Sequence, residues 1–411
     1  MTAKRILVVG AGHAGGRVAQ HLIELDAQCQ VILVGEEAYA PYERPALSKD
    51  VLLGKQSSAE LTLAPFEFWH SSERLQRVVG RVVALDRELR QVTLHSGEQI
   101  AFDDLVVATG GAARRLSLPG GDLPGLHVLR TIADCHELSA ALKGAQNIAI
   151  IGAGVIGMEV AASAAQLGVQ ATVLDVGERI MRRCLTPAAS EWLSALHLQA
   201  GVTLESSVIP QSITQIEGRY AVQVQRQDAS TFTVEADQVL VAVGIECETD
   251  FLKNAGIPCD NGVLVDEFCR SADEPWLYAV GDVANTYSAF YGKHLRQETW
   301  RNAENQARAV ALQICGQEQA YHEIPWMWSD QFGHNLQVVG NIEVFDQQIL
   351  RGDPQAHKAT WVLLKDGCVV GGVMINQAKD RKPLEALINA ATPVDSALLA
   401  DEKTALKKLA A

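Results

Sequence analysis

Runs of four or five consecutive apolar residues, each opening into glycines, recur along this chain. Ile6-Leu7-Val8-Val9 runs into Gly10-Ala11-Gly12-His13-Ala14-Gly15-Gly16, after which a helix is expected through about Leu25. The next run, Val31-Ile32-Leu33-Val34, ends at Glu36. The same order returns as Ile148-Ala149-Ile150-Ile151, then Gly152-Ala153-Gly154-Val155-Ile156-Gly157, a helix to about Leu167, and Ala171-Thr172-Val173-Leu174-Asp175. A strand, glycine loop, helix and strand unit is therefore repeated, from Arg5 to Glu36 and from Asn147 to Asp175. Two further runs, Leu105 to Gly110 and Val239 to Gly244, each follow aspartate and end in glycine, as closing strands of the two units would. Leu277 to Ala284 reads as a strand that delivers Asp282 to the C-terminal edge of a sheet, where ligands bind in such folds.

The spacing of the glycines carries chemistry. Gly10 permits a tight turn, Gly12 lets backbone approach a pyrophosphate, and Gly15 lets helix and strand pack closely. The phosphates then meet a helix N-terminus, and Glu36 stands where a carboxylate accepts ribose hydroxyls. Gly152, Gly154 and Gly157, with Val155 and Ile156 between them, repeat the logic. Asp175 takes the ribose and repels a 2′-phosphate, which favours NADH over NADPH. Arg179, Arg182 and Arg183 oppose that inference, because a guanidinium accepts a phosphate.

Composition narrows the class without changing it. The chain has 411 residues, 48% of them hydrophobic, enough for two or three domains with sizeable cores. No apolar run approaches the roughly 18 residues of a membrane span, and Met-Thr-Ala-Lys-Arg leads directly into a strand. No membrane association and a cytoplasmic location are expected. A formal charge of −14 opposes binding to nucleic acid. The eight cysteines have no metal-ligand or C-x-x-C spacing, so reduced structural thiols and no metal site are expected.

Three longer segments carry a resemblance. Pro41-Tyr42-Glu43-Arg44-Pro45-Ala46-Leu47-Ser48-Lys49, Glu298-Thr299-Trp300-Arg301-Asn302-Ala303-Glu304-Asn305-Gln306 and Pro325-Trp326-Met327-Trp328-Ser329-Asp330-Gln331 resemble signatures of ferredoxin reductases of bacterial oxygenase systems. These belong to the two-dinucleotide-binding flavoproteins of glutathione-reductase-like fold, and the likeness runs along essentially the whole chain. The resemblance implies an α/β fold: two Rossmann-like dinucleotide-binding domains plus a C-terminal α+β domain. FAD would occupy residues 1–112 and 245–319, NADH 113–244, and the C-terminal domain 320–411. Strands are expected there near Gln337–Val339, Trp361–Leu364 and Val369–Ile375, then a helix from about Pro383.

Roles follow position by position from the same resemblance. Gly10, Gly12, His13, Ala14, Gly15, Ala108, Thr109, Gly110 and Gly281 would line the FAD, with Glu36 on its adenosine ribose and Asp282 on its ribityl chain. Arg44, Lys49, Thr109 and Arg130 would surround flavin and phosphates, and Val83, Glu298, Thr299 and Ala303 would complete the contacts. Gly152, Gly154, Val155, Ile156, Gly157, Asp175, Arg183 and Gly244 would hold NADH/NAD+. Lys49 and Glu159 would pair beside flavin N5; a solvated Lys49 and a water-facing Glu159 are the alternatives. Trp300 and Trp328 would lie near the ring, against core packing as the alternative, and His13 reads as a helix-opening residue.

The resemblance implies hydride transfer from NADH to flavin and single-electron delivery to a separate [2Fe–2S] ferredoxin, since the chain has no iron–sulfur or haem signature of its own. Reductases serving aromatic-ring-hydroxylating dioxygenases are the nearest likeness, with rubredoxin and cytochrome P450 ferredoxin reductases beside them. A disulfide or peroxide reductase would need a cysteine between Tyr39 and Asp50, and there is none. A redox sensor resembling apoptosis-inducing factor stays open, as do monomer and homodimer. Gly244-Ile245-Glu246-Cys247-Glu248-Thr249 lacks the proline and asparagine usual after this glycine, and Asp175 stands where glutamate is usual.

Overall fold

The computed structural model describes residues 3–25, 28–289 and 291–409, which form two compact units. One contains Met1–Pro45, Ala59–Ala112 and Ile245–Glu323; the other contains Ala46–Ser58, Ala113–Gly244 and Ile324–Ala411.

In the first unit the opening apolar run becomes strand Lys4–Val9, which pairs in parallel with Cys29–Gly35 on one side and Asp104–Val107 on the other. Leu277–Ala279 and Leu75–Val79 complete a five-stranded parallel sheet at its two edges. Strand order reverses at Lys4–Val9, so the crevice beyond its C-terminal end opens at Gly10. The run is apolar throughout because both faces are covered. Ile6 and Val8 share a core with Val18 and Leu22 of helix His13–Glu24 and with Ala307 and Val310 of helix Trp300–Ile314. Leu7 and Val9 face a second core with Val92, Ile100 and Leu252.

The second unit repeats the device. Asn147–Ile151 pairs in parallel with Gln170–Leu174 and Gln238–Val241, and Thr203–Glu205 adds the fourth strand. The aspartates before the two closing strands do the same work. Asp103 accepts the Arg5 N–H at 2.7 Å, and Asp237 accepts those of Gln146 and Asn147 at 2.7 and 3.2 Å, so each ties down the start of a first strand. Helix Val155–Gln166 opens at Val155, before Gly157 and not after it, which places Glu159 in its second turn.

Two antiparallel sheets complete this unit. Val208–Ile216, Arg219–Arg226 and Thr231–Ala236 form a three-stranded ribbon. The C-terminal sheet runs Trp326–Gln331, His334–Gly340, Cys368–Ile375, Lys358–Lys365 and Gln347–Asp353. Helix Arg381–Ala390 covers it through Leu384, Leu387 and Ile388. Three of these strands and the helix match the expected C-terminal elements; Trp326–Gln331 and Gln347–Asp353 are additional. Among the described residues, no helix is long and apolar enough to cross a membrane.

Candidate dinucleotide-binding sites

In the first unit, Gly10 has φ +110°, and a Cβ there would lie 2.2 Å from the Ala108 carbonyl oxygen. A Cβ on Gly15 would lie 1.9 Å from the Gly10 carbonyl oxygen, so both positions are closed to any side chain. Gly12 differs: the space a Cβ would enter holds only the Arg44 guanidinium, at 3.5 Å. Gly12 is also the N-cap of helix His13–Glu24, and no side chain caps it. An uncapped helix N-terminus, open at the middle glycine and overlooked by an arginine, fits a pyrophosphate. Arg44 is positioned by Glu37, 3.0 Å away, which also accepts the Tyr42 hydroxyl at 2.6 Å.

Gly281, Asp282, Thr109 and Thr299 also belong to this unit. Gly281 approaches Ala14 so closely that a Cβ would sit 2.8 Å from the alanine methyl and 3.8 Å from that of Ala303. Asp282 follows on a single 3-10 turn, Gly281–Val283, beyond the end of strand Leu277–Ala279. Thr109 donates its hydroxyl to the Glu248 carbonyl at 3.1 Å. Thr299 caps helix Trp300–Ile314 by accepting the Asn302 N–H, which puts Trp300 in the first turn. Glu298 pairs with Arg296 at 2.6 Å. Glu36 is half exposed beside Arg81, and Val83 is exposed on strand Val82–Asp86.

His13 begins its helix as expected and also makes side-chain contacts that the sequence did not announce. Its Nε2 lies 2.8 Å from Glu304, which Arg17 also reaches at 2.9 Å, and its ring meets Trp300 edge-on at 5.4 Å. Burial pushes the Glu304 carboxyl up, but the His13 hydrogen bond and the Arg17 charge leave it below the usual range.

In the second unit Gly152 and Gly157 repeat the geometry of Gly10 and Gly15: φ is +111°, and a Cβ on Gly157 would lie 2.0 Å from the Gly152 carbonyl oxygen. A Cβ on Gly154 would have nothing within 4 Å, and no side chain caps the helix that starts there. This cradle also fits a pyrophosphate. Asp175 is anchored by two N–H groups, from Ala153 in the glycine loop and from Gly177, each at 2.6 Å. Of the three arginines that oppose NADH selectivity, Arg179 is committed to the Leu185 and Arg182 carbonyls at 2.7 and 3.2 Å. Arg182 and Arg183 are exposed, and Arg183 lies 3.8 Å from the Cβ position of Gly244. Ile156 and Val176 leave apolar surface exposed beside this loop. Arg130 precedes the capping box that Thr131 and Asp134 form on helix Ile132–Leu142.

Lys49 and Glu159 come together. The Lys49 ammonium lies 3.3 Å from Glu159 Oε1, with Lys49 16% and Glu159 3% exposed. The segment that carries Lys49 is tied to two helices: the Cys135 thiol donates to the Leu47 carbonyl at 3.1 Å and the Ser163 hydroxyl to that of Ser48 at 2.7 Å. Glu159 also accepts the hydroxyls of Ser48 and, at 2.6 Å, Ser329. Ser48, Ser329 and Gln331 lie inside the segments singled out in the sequence, but nothing in their residue types marked the serines as partners of Glu159 or Gln331 as a partner of Ser329. Trp328 stacks on Trp326 at 5.1 Å, and the Arg381 guanidinium lies 4.9 Å over the Trp326 ring.

Burial keeps the neighbouring thiol unreactive. Cys135, against Leu47, is fully buried, which pushes its pKa up to about 11. Among the described residues no group of three or more His, Cys, Asp and Glu is arranged to hold a metal ion.

Two parallel sheets with uncapped glycine cradles define a two-dinucleotide oxidoreductase, and the chain belongs to the pyridine nucleotide-disulphide oxidoreductase family, whose model matches residues 4–307. A second model, described as a reductase C-terminal domain, matches residues 326–410. The chain is 36% identical over 410 residues to the anthranilate 1,2-dioxygenase system ferredoxin–NAD(+) reductase component of Burkholderia cepacia, covering 99% of each. It is 37% identical to the 5,5′-dehydrodivanillate O-demethylase ferredoxin reductase subunit of a Sphingobium species, covering 98% of each. Among solved structures, the ferredoxin reductase for the CYP199A2 system of Rhodopseudomonas palustris matches with a TM-score of 0.94 at 32% identity, over 99% of this chain and 100% of that one. The reductase in a covalent putidaredoxin reductase–putidaredoxin complex matches with a TM-score of 0.93 at 29% identity, over 100% of this chain and 98% of that one. The fold is therefore of the glutathione-reductase-like, two-dinucleotide class.

Proposed function

We propose that this chain is an NADH-dependent reductase that passes electrons through FAD to a [2Fe–2S] ferredoxin feeding an oxygenase. The observation that carries the reading is the duplicated open cradle, on a chain similar over its full length to ferredoxin reductase components of oxygenase systems. Residues 1–112 and 245–319 serve FAD, 113–244 serve NADH, and the chain from 320 forms a C-terminal reductase domain. FAD, when bound, accepts a hydride from NADH and releases its electrons singly, as a one-electron carrier requires.

The chain's own residues bind, orient and exclude. The N–H groups that open helix His13–Glu24 face one pyrophosphate, with Arg44 beside them, and those that open Val155–Gln166 face the other. Glu36 and Asp175 accept ribose hydroxyls, and the fixed carboxylate of Asp175 opposes a 2′-phosphate. Asp282 holds the ribityl chain. Lys49 and Glu159 act on the flavin as a charged pair, and no residue is needed as a general acid or base for hydride transfer. The test is spectral: the purified protein is yellow, NADH bleaches it, and an added [2Fe–2S] ferredoxin restores the colour as it is reduced. Bleaching without transfer to any such ferredoxin counts against the reading.

A further inference from the structure

We infer that Ser329, Gln331 and His197 are positioning residues for NADH oxidation, joined in one directed hydrogen-bond chain that holds the Glu159 carboxylate and, through it, the Lys49 ammonium. The inference rests on the reading of Lys49 and Glu159 as the charged pair acting on the flavin.

The direction of the chain follows from donor chemistry, starting at the acid. An ionised carboxylate only accepts, so the Ser329 hydroxyl, 2.6 Å from Glu159 Oε1, spends its proton there. Ser329 must then accept from Gln331, whose Nε2 lies 2.9 Å away and also faces the Met181 sulfur at 3.9 Å. That leaves Gln331 Oε1 facing His197 Nε2 at 2.7 Å, and an amide oxygen only accepts, so Nε2 carries the imidazole proton. Burial lowers the His197 pKa to about 4, which keeps the ring neutral with Nδ1 bare. Every bond points toward Glu159 Oε1, the same oxygen that meets Lys49. Bonds aligned in this way polarise one another and terminate on the one charged acceptor.

Geometry alone would not require this arrangement. Ser329, Gln331 and His197 are 0%, 4% and 0% exposed, and His197 Nδ1 is buried without a partner. Apolar side chains would fill the same space without desolvating polar atoms, so the chain is a poor choice for stability alone. It does fix the carboxylate, with Ser48 on the other oxygen, and hence where Lys49 rests.

Three measurements on the FAD-loaded protein test this: the potential of the bound flavin, the rate of its reduction by NADH against NADH half-saturation, and the unfolding temperature. Ser329→Ala should shift the potential to more negative values, because the Lys49 cation that favours reduced flavin is no longer fixed. It should also slow reduction on the order of tenfold with half-saturation within twofold, the signature of misplacement and not of lost binding. Gln331→Leu should move both in the same direction by less, and Ser329→Thr, which keeps the hydroxyl, should restore both. If Gln331→Leu fails to fold, the double variant Gln331→Leu/His197→Leu removes both partners of the buried bond together and takes its place. Glu159→Gln separates the two readings. If it moves potential and rate while Ser329→Ala and Gln331→Leu move neither, the chain is packing only and the pair's role stands. If Glu159→Gln moves neither, the pair's role fails and the inference falls with it.

Discussion

Glu159 is 3% exposed and Lys49 16%, so loss of one leaves something different from loss of the other. Lys49→Met leaves a carboxylate sealed from water with only its serine donors, and it should cost about 3 kcal/mol of stability. Glu159→Gln keeps an acceptor for one of those serines and frees an ammonium that can reach solvent, and it should cost about 1 kcal/mol. Urea unfolding of the two variants measures the asymmetry; equal losses would mean the exposure difference is immaterial. Both should retain FAD by absorbance and be reduced more slowly by NADH. Asp175 gives a second residue-scale expectation. Asp175→Asn removes the charge while keeping one acceptor for the loop N–H groups, so the kcat/KM preference for NADH over NADPH should narrow. An unchanged ratio would show that the 2′-phosphate never meets this carboxylate. Much of this scale was legible. Gly10, Gly15, Gly152 and Gly157 announce themselves because only glycine satisfies their close approaches, and Gly12 and Gly154 by their fixed spacing between them. Ser48, Ser329, Gln331 and Glu304 did not, because serine, glutamine and glutamate are common on surfaces and only the folded chain shows what each of them touches.

Two elements carry expectations of their own. Helix Pro187–Gln199 buries His197, whose pKa falls to about 4 from an ordinary 6.5. Between those values the unfolded chain binds a proton that the folded chain refuses. Stability is thus fully present above about pH 6.5 and is lost as pH falls toward 4, by roughly 3 kcal/mol at the full shift. His197→Gln has no such proton, so its unfolding temperature should fall less steeply than that of the unsubstituted protein across this window; parallel curves would rule the histidine out. Strand Gln347–Asp353 buries Arg351, whose guanidinium donates to the carbonyls of Leu399, Asp401, Glu402 and Thr404 at 3.2, 2.5, 3.1 and 2.8 Å. Arg351→Met should cost about 3 kcal/mol and expose the tail, so that trypsin cuts after Lys403 sooner than in the unsubstituted chain. Unchanged cleavage would show that the tail is held by Leu399 and Leu406 alone. The buried arginine also explains why this strand was not legible: Gln347-Gln348-Ile349-Leu350-Arg351 has no apolar alternation, since its inward position is polar. The ribbon strand Arg219–Arg226 has the alternation that Gln347–Asp353 lacks, with Tyr220, Val222 and Val224 inward at period two, although it was not named from the sequence. Parallel strands buried on both faces were legible because such burial leaves only apolar residues, whereas the edge strands Leu75–Val79 and Thr203–Glu205, which are partly exposed and carry polar residues, were not.

At the scale of the molecule, the net charge of −14 has to be reconciled with the proposed ferredoxin, a partner that is typically acidic in the family this chain resembles. Long-range repulsion between two anions must be overcome by a local patch that acts within about 10 Å, the Debye length near 0.1 M salt. Basic residues that could form one are Lys293, His294, Arg296 and Arg301 around Trp300 in the sequence, and Lys379, Arg381 and Lys382 within residues 320–411. The structure divides them. Arg296 pairs with Glu298, Arg301 with Glu323 at 2.9 Å, and Arg381 with Glu385 at 3.1 Å, so their charge is largely neutralised at short range. Lys293 stays exposed in the first unit, and Lys379 and Lys382 in the second, which also carries the stacked Trp326 and Trp328. Opposite charge steers encounter and sets register more than it deepens affinity, so its signature is kinetic. Electron transfer to ferredoxin should slow as salt rises through roughly 0.1 M, while reduction by NADH changes much less. Lys379→Glu and Lys382→Glu should each lower ferredoxin turnover and leave turnover with ferricyanide unchanged, and Arg301→Glu should do less because Glu323 already offsets its charge. Ferredoxin reduction that quickens with salt would mean that net repulsion dominates the encounter, and equal losses with both acceptors would remove these lysines from the docking surface.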